Sequence, residues 1–397
     1  MSKKDKQHAL VPRLRFPEFQ DSAGWENLPL GDIITLEYGS PLPEKDRTGA
    51  GFPVVGSNGN VGYHKTATVS GPAIVVGRKG SVGQINLIED DCTPIDTTFY
   101  AVPNRPKRDH FYFIWRLLES TRLDTFGDAG AVPGLNRNDV YARQTAVPAY
   151  TEQQKIADCL GSLDDLIAAE GRKLAALRDH KKGLMQQLFP REGETRPRLR
   201  FPGFHSKGDW GARTIREFGD ISMCKRILNR QTNDREGIPF YKIGTLGGKP
   251  DAYISRELYE EYRDRYSFPR KGEVLITCAG TVGKCVPYDG EDAYFQDSNI
   301  VWIENPQDEV SNQFLYSVLA NIDWSKLNST TITRIYLDDL RNLRIKVPPL
   351  MEEQHRIADC LTSLDAIIAA QSKRLNALHT HKRGLMQQLF PIVEGVA

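Results

Sequence analysis

The chain has 397 residues, 40% of them hydrophobic and 26% charged, with 52 basic and 51 acidic side chains and a net charge of +1. That size exceeds one ordinary domain and fits two or three, with the composition of a soluble globular protein. No run of 18 apolar residues occurs and Met1–Leu10 is polar without a signal-peptide core, so no membrane partner is expected and the cytoplasm is the expected compartment. A neutral total neither announces nor excludes nucleic-acid binding, which depends on local patches.

Taken in chain order, the first landmark is Pro12-Arg-Leu-Arg-Phe-Pro17, followed by Trp25. A globular stretch then runs from about Trp25 to Pro148. In it Phe52–Val55, Ala73–Val76 and Gln84–Ile88 read as short strands bounded by Gly and Pro, and Asp109–Leu118 as an amphipathic helix. A long helix is predicted from about Glu152 to Leu188, stopped by Pro190, and a polar joint follows at 191–196. The landmarks then recur. Pro197-Arg-Leu-Arg-Phe-Pro202 and Trp210 repeat the opening at an offset of 185. The second globular stretch, to Pro348, carries strand-like Glu273–Thr277 and Ile300–Ile303 and a helical Asn312–Ala320. A second long helix runs from about Glu353 to Leu389, stopped by Pro391. Residues 152–190 and 353–391 align without a gap at an offset of 201, with 26 of 39 positions identical.

The sequence between these fixed pieces has diverged, and the second insert is 16 residues longer when Trp-to-Glu spans are compared (25–152 against 210–353). Faint kinship survives at an offset of 200, in Gly80-Ser-Val-Gly83 and Gly280-Thr-Val-Gly283. The expected fold class is α+β: two similar mixed α/β domains separated by two long helices that form an antiparallel coiled coil, with pseudo-twofold symmetry. The expected divisions are 1–150, 151–190, 191–349, 350–391 and a tail at 392–397.

Each helix carries a 4-3 seam, Ile156, Leu160, Leu163, Ile167, Glu170, Leu174, Leu177, Lys181, Leu184 and Leu188, repeated 201 residues later. Sustained 4-3 spacing is a coiled-coil signal, and each helix would be roughly 55 Å long. Two seam positions are polar in each copy. Parallel pairing would stack Lys181 on Lys382, whereas an antiparallel register sets Glu170 against Lys382 and Lys181 against Gln371, which is the expected arrangement.

No phosphate-binding loop, zinc spacing, Glu-x-Lys nuclease tripeptide or amino-methyltransferase Asn-Pro-Pro-aromatic turn occurs, so no catalysis is expected of this chain. The six cysteines form no C-x-x-C pair, and Cys159 and Cys360 read as small buried residues on the long helices. Arg, Asn and Gln can contact base edges, and Gly-rich loops with nearby cations can hold phosphates. On that basis the candidates in the first domain are Asn58, Asn60, Tyr63, His64, Arg78, Lys79, Ser81, Asn136 and Arg137. In the second they are Arg226, Asn229, Arg230, Lys242, Thr245, Lys249, Thr281, Lys284, Arg334 and Tyr336. The structural alternative for each is an ordinary solvated loop residue.

Val347-Pro-Pro-Leu-Met-Glu-Glu-Gln-His-Arg-Ile357, its counterpart Val147–Ile156, the Gly-Leu-Met-Gln-Gln-Leu-Phe-Pro helix ends and the Pro-Arg-Leu-Arg-Phe-Pro openings resemble the specificity subunits of type I restriction-modification systems. The resemblance covers nearly the whole chain; Ala149 departs from it where the second copy has Pro349. It implies a non-catalytic subunit whose two target recognition domains each read one half of a bipartite, asymmetric double-stranded DNA sequence. The helices would set the spacer and dock two methyltransferase subunits, to which restriction subunits add. S-adenosylmethionine, ATP and magnesium would belong to those partners. The competing readings are a stand-alone methyltransferase–nuclease fusion and a purely structural coiled-coil protein.

Overall fold

The structure, a computed structural model, describes residues 10–126, 134–324, 334–391 and Val393. It divides into two compact units, one made of residues 1–171 and 373–397 and the other of 172–372. Each unit therefore holds one globular domain, the first half of the long helix that follows it and the second half of the other long helix.

The first globular domain contains β1 (Glu26–Pro29), α1 (Leu30–Ile33), β2 (Ile34–Tyr38), β3 (Phe52–Gly56), β4 (Gly59–His64), β5 (Ala73–Gly77), β6 (Ile85–Ile88), β7 (Thr93–Pro94), β8 (Thr98–Pro103), α2 (Phe111–Ser120), α3 (Arg137–Ala142) and β9 (Gln144–Val147), and leads into the long α4 (Tyr150–Leu188). Three sheets form, in the orders β1-β9, β2-β8-β5-β6 and β4-β3-β7. Among the pairings of these named strands β3–β7 is parallel and the others are antiparallel. The apolar run of β5 follows from its position. Ile74 and Val76 enter the main core with Leu36, Phe99, Phe113 and Leu117, while Ala73 and Val75 join Val55 and Cys92 on the other side. A strand covered on both faces needs no alternation of polarity.

The second domain repeats this plan: β10 (Gly211–Thr214), α5 (Ile215–Phe218), β11 (Asp220–Ser222), β12 (Ile238–Tyr241), β13 (Tyr253–Ile254), α6 (Arg256–Arg265), β14 (Val274–Thr277), β15 (Cys285–Pro287), β16 (Tyr294–Phe295), β17 (Ile300–Glu304), α7 (Asn312–Leu319), α8 (Leu337–Arg341), β18 (Arg344–Val347) and the long α9 (Met351–Leu389). Its sheets are β10-β18, β11-β17-β14-β15 and β13-β12-β16, the same orders strand for strand. The added element is α6, which falls in the β13–β14 connection. Ser255 caps it by accepting the Leu258 N–H, and the buried Tyr259 ring anchors it. That connection, 255–273, replaces the short 65–72 loop of the first domain and supplies most of the extra length.

The repeated motifs meet at one place in each unit. In the first, Arg15 donates from Nε and Nη2 to the two carboxylate oxygens of Glu152, at 2.8 and 2.7 Å, and the Trp25 indole N–H donates to the same carboxylate at 3.2 Å. The remaining Arg15 donors reach the Ser22 and Ala23 carbonyls. In the second, Arg200 and Trp210 hold Glu353 in the same way, with the Lys207 and Gly208 carbonyls completing the fork. Both glutamates are 1% exposed. The next residue caps a neighbouring helix. Gln153 accepts the His110 N–H at the start of α2 and donates to the Arg108 and Pro148 carbonyls, and Gln354 accepts the Ser311 N–H at the start of α7 and donates to Glu309 and Pro348.

The helix ends close the same node. The Leu14 N–H donates to the Gln388 carbonyl of α9, and the Leu199 N–H to the Gln187 carbonyl of α4, so each arm satisfies a carbonyl of a helix's last turn. Phe390 stacks on Phe113 and meets Trp25 edge-on, while Phe189 packs on Trp210 and Phe314.

Every seam position is buried or half-buried, as the 4-3 spacing requires. Within the first unit α4 and α9 run antiparallel: Asp164 meets Lys382 at 2.6 Å and Glu170 meets Arg374 at 2.8 Å. Within the second, Lys181 meets Asp365 at 2.5 Å, and Leu184 and Leu188 share a core with Ile357 and Leu361. The expected register is corrected by these pairs. The carboxylate at Lys382 is Asp164 rather than Glu170, and Lys181 finds Asp365 rather than Gln371. The seam has slid by about one heptad. In the expected register Ile156 and Leu160 would face no helix; in the observed one they join Leu385 and Leu389 in the core, and Lys181 meets a carboxylate in place of an amide.

Two outcomes follow from this packing. Glu353→Ala should lower unfolding free energy by about 3–5 kcal/mol, because it strands a buried guanidinium, whereas Arg200→Met with Glu353→Leu should lose less. Chemical denaturation of the full chain measures both. For the register, Lys181→Asp combined with Asp365→Lys should restore stability lost in either single variant. The expected coupling is about 0.5–1 kcal/mol given the partial exposure of the pair, and Lys181→Asp with Gln371→Lys should show none.

Candidate nucleic-acid interface

The β5–β6 and β14–β15 loops have one backbone shape. The Gly77 N–H donates to Gln84 and the Gly83 N–H to Gly77, each at 2.8 Å; the Thr277 N–H donates to Lys284 and the Gly283 N–H to Thr277, at 3.0 and 2.8 Å. Gly80 and Gly83 have φ of +78° and +73°, and Gly280 and Gly283 of +65° and +78°. A β-carbon at Gly83 would lie 2.2 Å from the Leu123 backbone, and one at Gly283 2.2 Å from the Trp324 ring. The loops are then pinned alike: Leu135 N–H to the Arg78 carbonyl and Ile335 N–H to the Cys278 carbonyl, both 2.9 Å.

On this shared backbone the side chains differ. In the first domain Arg78 donates from Nε and Nη2 to the Asp96 carbonyl, at 3.2 and 2.7 Å. Its guanidinium lies 5.2 Å from the centre of the Tyr38 ring and 5.8 Å from that of Phe99. Arg137 donates from Nη1 to the Leu36 carbonyl at 3.1 Å and also lies 5.2 Å from the Tyr38 ring. The structure thus brings Arg78 and Arg137 together around an aromatic residue that the sequence did not single out. Lys79 is exposed and Ser81 half-buried on the same loop. Asn136 is the N-cap of α3 and accepts the Asn138 N–H, which is a structural task. Asn58, Asn60, Tyr63 and His64 sit apart on the β3–β4 hairpin. Asn60 accepts the Gly62 N–H there and the Tyr63 ring is largely open to solvent.

In the second domain Arg334 donates to the Ser298 carbonyl at 3.4 Å, and Arg226 pairs with Asp297 at 2.8 Å, so the 297–298 turn gathers both arginines. Tyr336, two residues beyond Arg334, is 64% exposed. Lys284 Nζ donates to the Leu246 carbonyl at 2.5 Å and straps its loop to the 242–248 turn, in which Thr245 Oγ1 accepts the Lys242 N–H and Lys242 meets Asp251. Lys284, Lys242 and Thr245 therefore carry local structure. Thr281, Lys249, Asn229 and Arg230 are exposed, the last two on a single 3-10 turn.

Burial pushes the Cys224 and Cys278 thiols up to about 12 and Cys92 to about 11, which keeps them protonated and poor nucleophiles at neutral pH. Cys159 and Cys360 are half-buried rather than fully enclosed. Among the described residues no group of three His, Cys, Asp or Glu is placed to hold a metal, and no helix is long and apolar enough to cross a membrane.

The family model of the type I restriction modification DNA specificity domain matches residues 22–179 and again 207–380, one match over each globular domain and its helix. A Haemophilus influenzae protein described as type I restriction enzyme specificity subunit S.HindORF215P is 50% identical over 151 residues, 38% of this chain and 39% of that protein's length. The MjaVIII specificity subunit of Methanocaldococcus jannaschii is 22% identical over 301 residues, 71% of this chain and 69% of its own. The crystal structure of the type I restriction-modification S subunit from M. genitalium superposes with a TM-score of 0.68 at 15% identity, covering 97% of this chain and all of that one, and so shares its fold. The chain belongs to the type I restriction modification DNA specificity family and carries two copies of its domain.

The loop geometry gives a direct test. Gly83→Ala should lower stability by about 1–3 kcal/mol more than Gly80→Ala, because both positions are left-handed but only Gly83 faces backbone at contact distance. Thermal unfolding of the two variants measures the difference.

Proposed function

We propose that this chain is the non-catalytic specificity subunit of a type I restriction-modification complex. Residues 1–150 and 191–349 act as target recognition domains, each reading one half of a bipartite, asymmetric duplex sequence. Residues 151–190 and 350–391 set the spacer and dock two methyltransferase subunits, and restriction subunits join that core. S-adenosylmethionine, ATP and magnesium serve the partner subunits. The observation that carries this reading is the pair of β5–β6 and β14–β15 loops, which keep one backbone while their side chains differ. One frame bearing two chemistries suits two different half-sites. Direct base readout asks for such loops, with arginine and asparagine forks reaching groove edges.

The stand-alone enzyme and the purely structural coiled coil make different predictions. When the chain is expressed with its modification subunit, sequencing of methylated bases should find a two-part motif with a fixed spacer. Replacing residues 25–148 with the corresponding domain of another family member should change one half only, and adding one heptad within each long helix should alter the spacer alone. Absence of a bipartite motif, or a change in both halves on domain exchange, sinks the reading.

A further inference from the structure

In the Arg78–Tyr38–Arg137 cluster each arginine bonds one backbone carbonyl, Asp96 or Leu36, which leaves its charge uncompensated. Two guanidiniums lie 5.2 Å from the centre of one ring, and their hydrogen-bond partners among the described residues are backbone carbonyls. Like charges gathered this way repel, and an attraction of about 0.5–1 kcal/mol per exposed cation–ring contact does little to offset that. Tyr38 is 52% exposed, its ring centre 5.0 Å from that of the buried Phe99.

The duplication supplies a control. Leu36 pairs with Ala101 as Ile221 pairs with Ile303, which places Met223 at the position of Tyr38. The loop hydrogen bonds place Cys278 at the position of Arg78, and the first residue of α8, Leu337, stands for Arg137. All three counterparts belong to or pack on one apolar cluster. The frame is therefore stable with apolar groups here, and the charged version in the first domain answers another need. The second domain uses the same turn differently. The carbonyl that takes Arg78 in the first, Asp96, corresponds to Ser298, which takes Arg334.

Donor accounting shows what the cluster offers. Arg137 spends Nη1 on the Leu36 carbonyl, and its Nε–Nη2 edge meets no protein acceptor among the described residues. Held by a backbone carbonyl and an aromatic face, that edge is a rigid two-donor fork, the shape that matches guanine O6 and N7 in the major groove.

We propose that Arg78, Tyr38 and Arg137 form the element with which the first domain reads a guanine in its half of the target, Arg137 supplying the fork and Tyr38 with Arg78 fixing it in place. This rests on the DNA-reading function proposed above. The test is the methylation pattern in cells expressing the modification subunit with the wild-type chain or with Arg137→Ala, Arg137→Lys or Tyr38→Ala. The wild type should mark a bipartite motif. Arg137→Ala and Arg137→Lys should each lose preference for one guanine of one half by about 5- to 150-fold, with the other half unchanged. Arg137→Lys keeps the charge, so it distinguishes a base-reading fork from a phosphate contact even if the alanine variant folds poorly. Unchanged preference in every variant, or uniformly weaker methylation at the intact motif, overturns this proposal alone. A wild type that marks no bipartite motif overturns the broader reading before the variants are considered.

Discussion

A buried carboxylate holds each unit together. Glu152 and Glu353 begin the long helices, and an ionised group so enclosed is tolerable only with its lone pairs satisfied. The arginine fork and the indole N–H satisfy them, and in doing so fix three distant pieces of chain: the arm, the tryptophan that seats the domain core, and the helix. The neighbouring glutamine extends the constraint to α2 or α7, and the helix-end phenylalanine closes the apolar side. Repeated motifs that look scattered along the sequence are the parts of one joint.

With the joint fixed, the domains are free to differ where they do not contribute to it. The sheets keep their order and the Gly loops keep their turns, because φ and steric contact at Gly83 and Gly283 leave no other residue. On that shared frame Tyr38, Arg78 and Arg137 stand where Met223, Cys278 and Leu337, which belong to or pack on an apolar cluster, stand in the other copy. Shape is held by main-chain bonds and buried apolar contacts, whereas chemistry is held by a few substitutable positions.

The frame was legible in the sequence because its signals are periodic or repeated. The 4-3 seam gave both long helices to within a few residues, and β3, β5, β6, β14 and β17 were read from short apolar runs. The register was not legible. Sliding antiparallel seams by a heptad preserves the spacing, so the choice fell to the ends, where Ile156 and Leu160 need Leu385 and Leu389, and to Asp164 and Asp365, which lie beside the seam rather than on it. Of the outward residues, Arg78 and Arg137 were legible by type but not as a pair, since their meeting point is set by β2 pairing with β8. Tyr38 carried no signal at all, because a tyrosine ending a strand reads as core. Asn136 and Lys284, candidates by residue type, also complete a helix cap and a loop strap, which their type alone does not show.

The division of the chain has a consequence for how the protein comes to be folded. The unit of residues 172–372 is one unbroken stretch, whereas the other needs residues 373–390 brought back to 10–171 across everything between. During synthesis the clamp of Arg15 on Glu152 can form early, but Leu14 has no Gln388 carbonyl to meet and Trp25 no Phe390 to pack on until the final helix has emerged. The later-made unit can therefore finish first. In that interval the aromatic face around Trp25 and Phe113 stays open, the kind of apolar surface that chaperones engage and that aggregates when left uncovered. Closing a loop of that length opposes the last step by about 5 kcal/mol of chain entropy, an amount reduced once the intervening unit has already compacted.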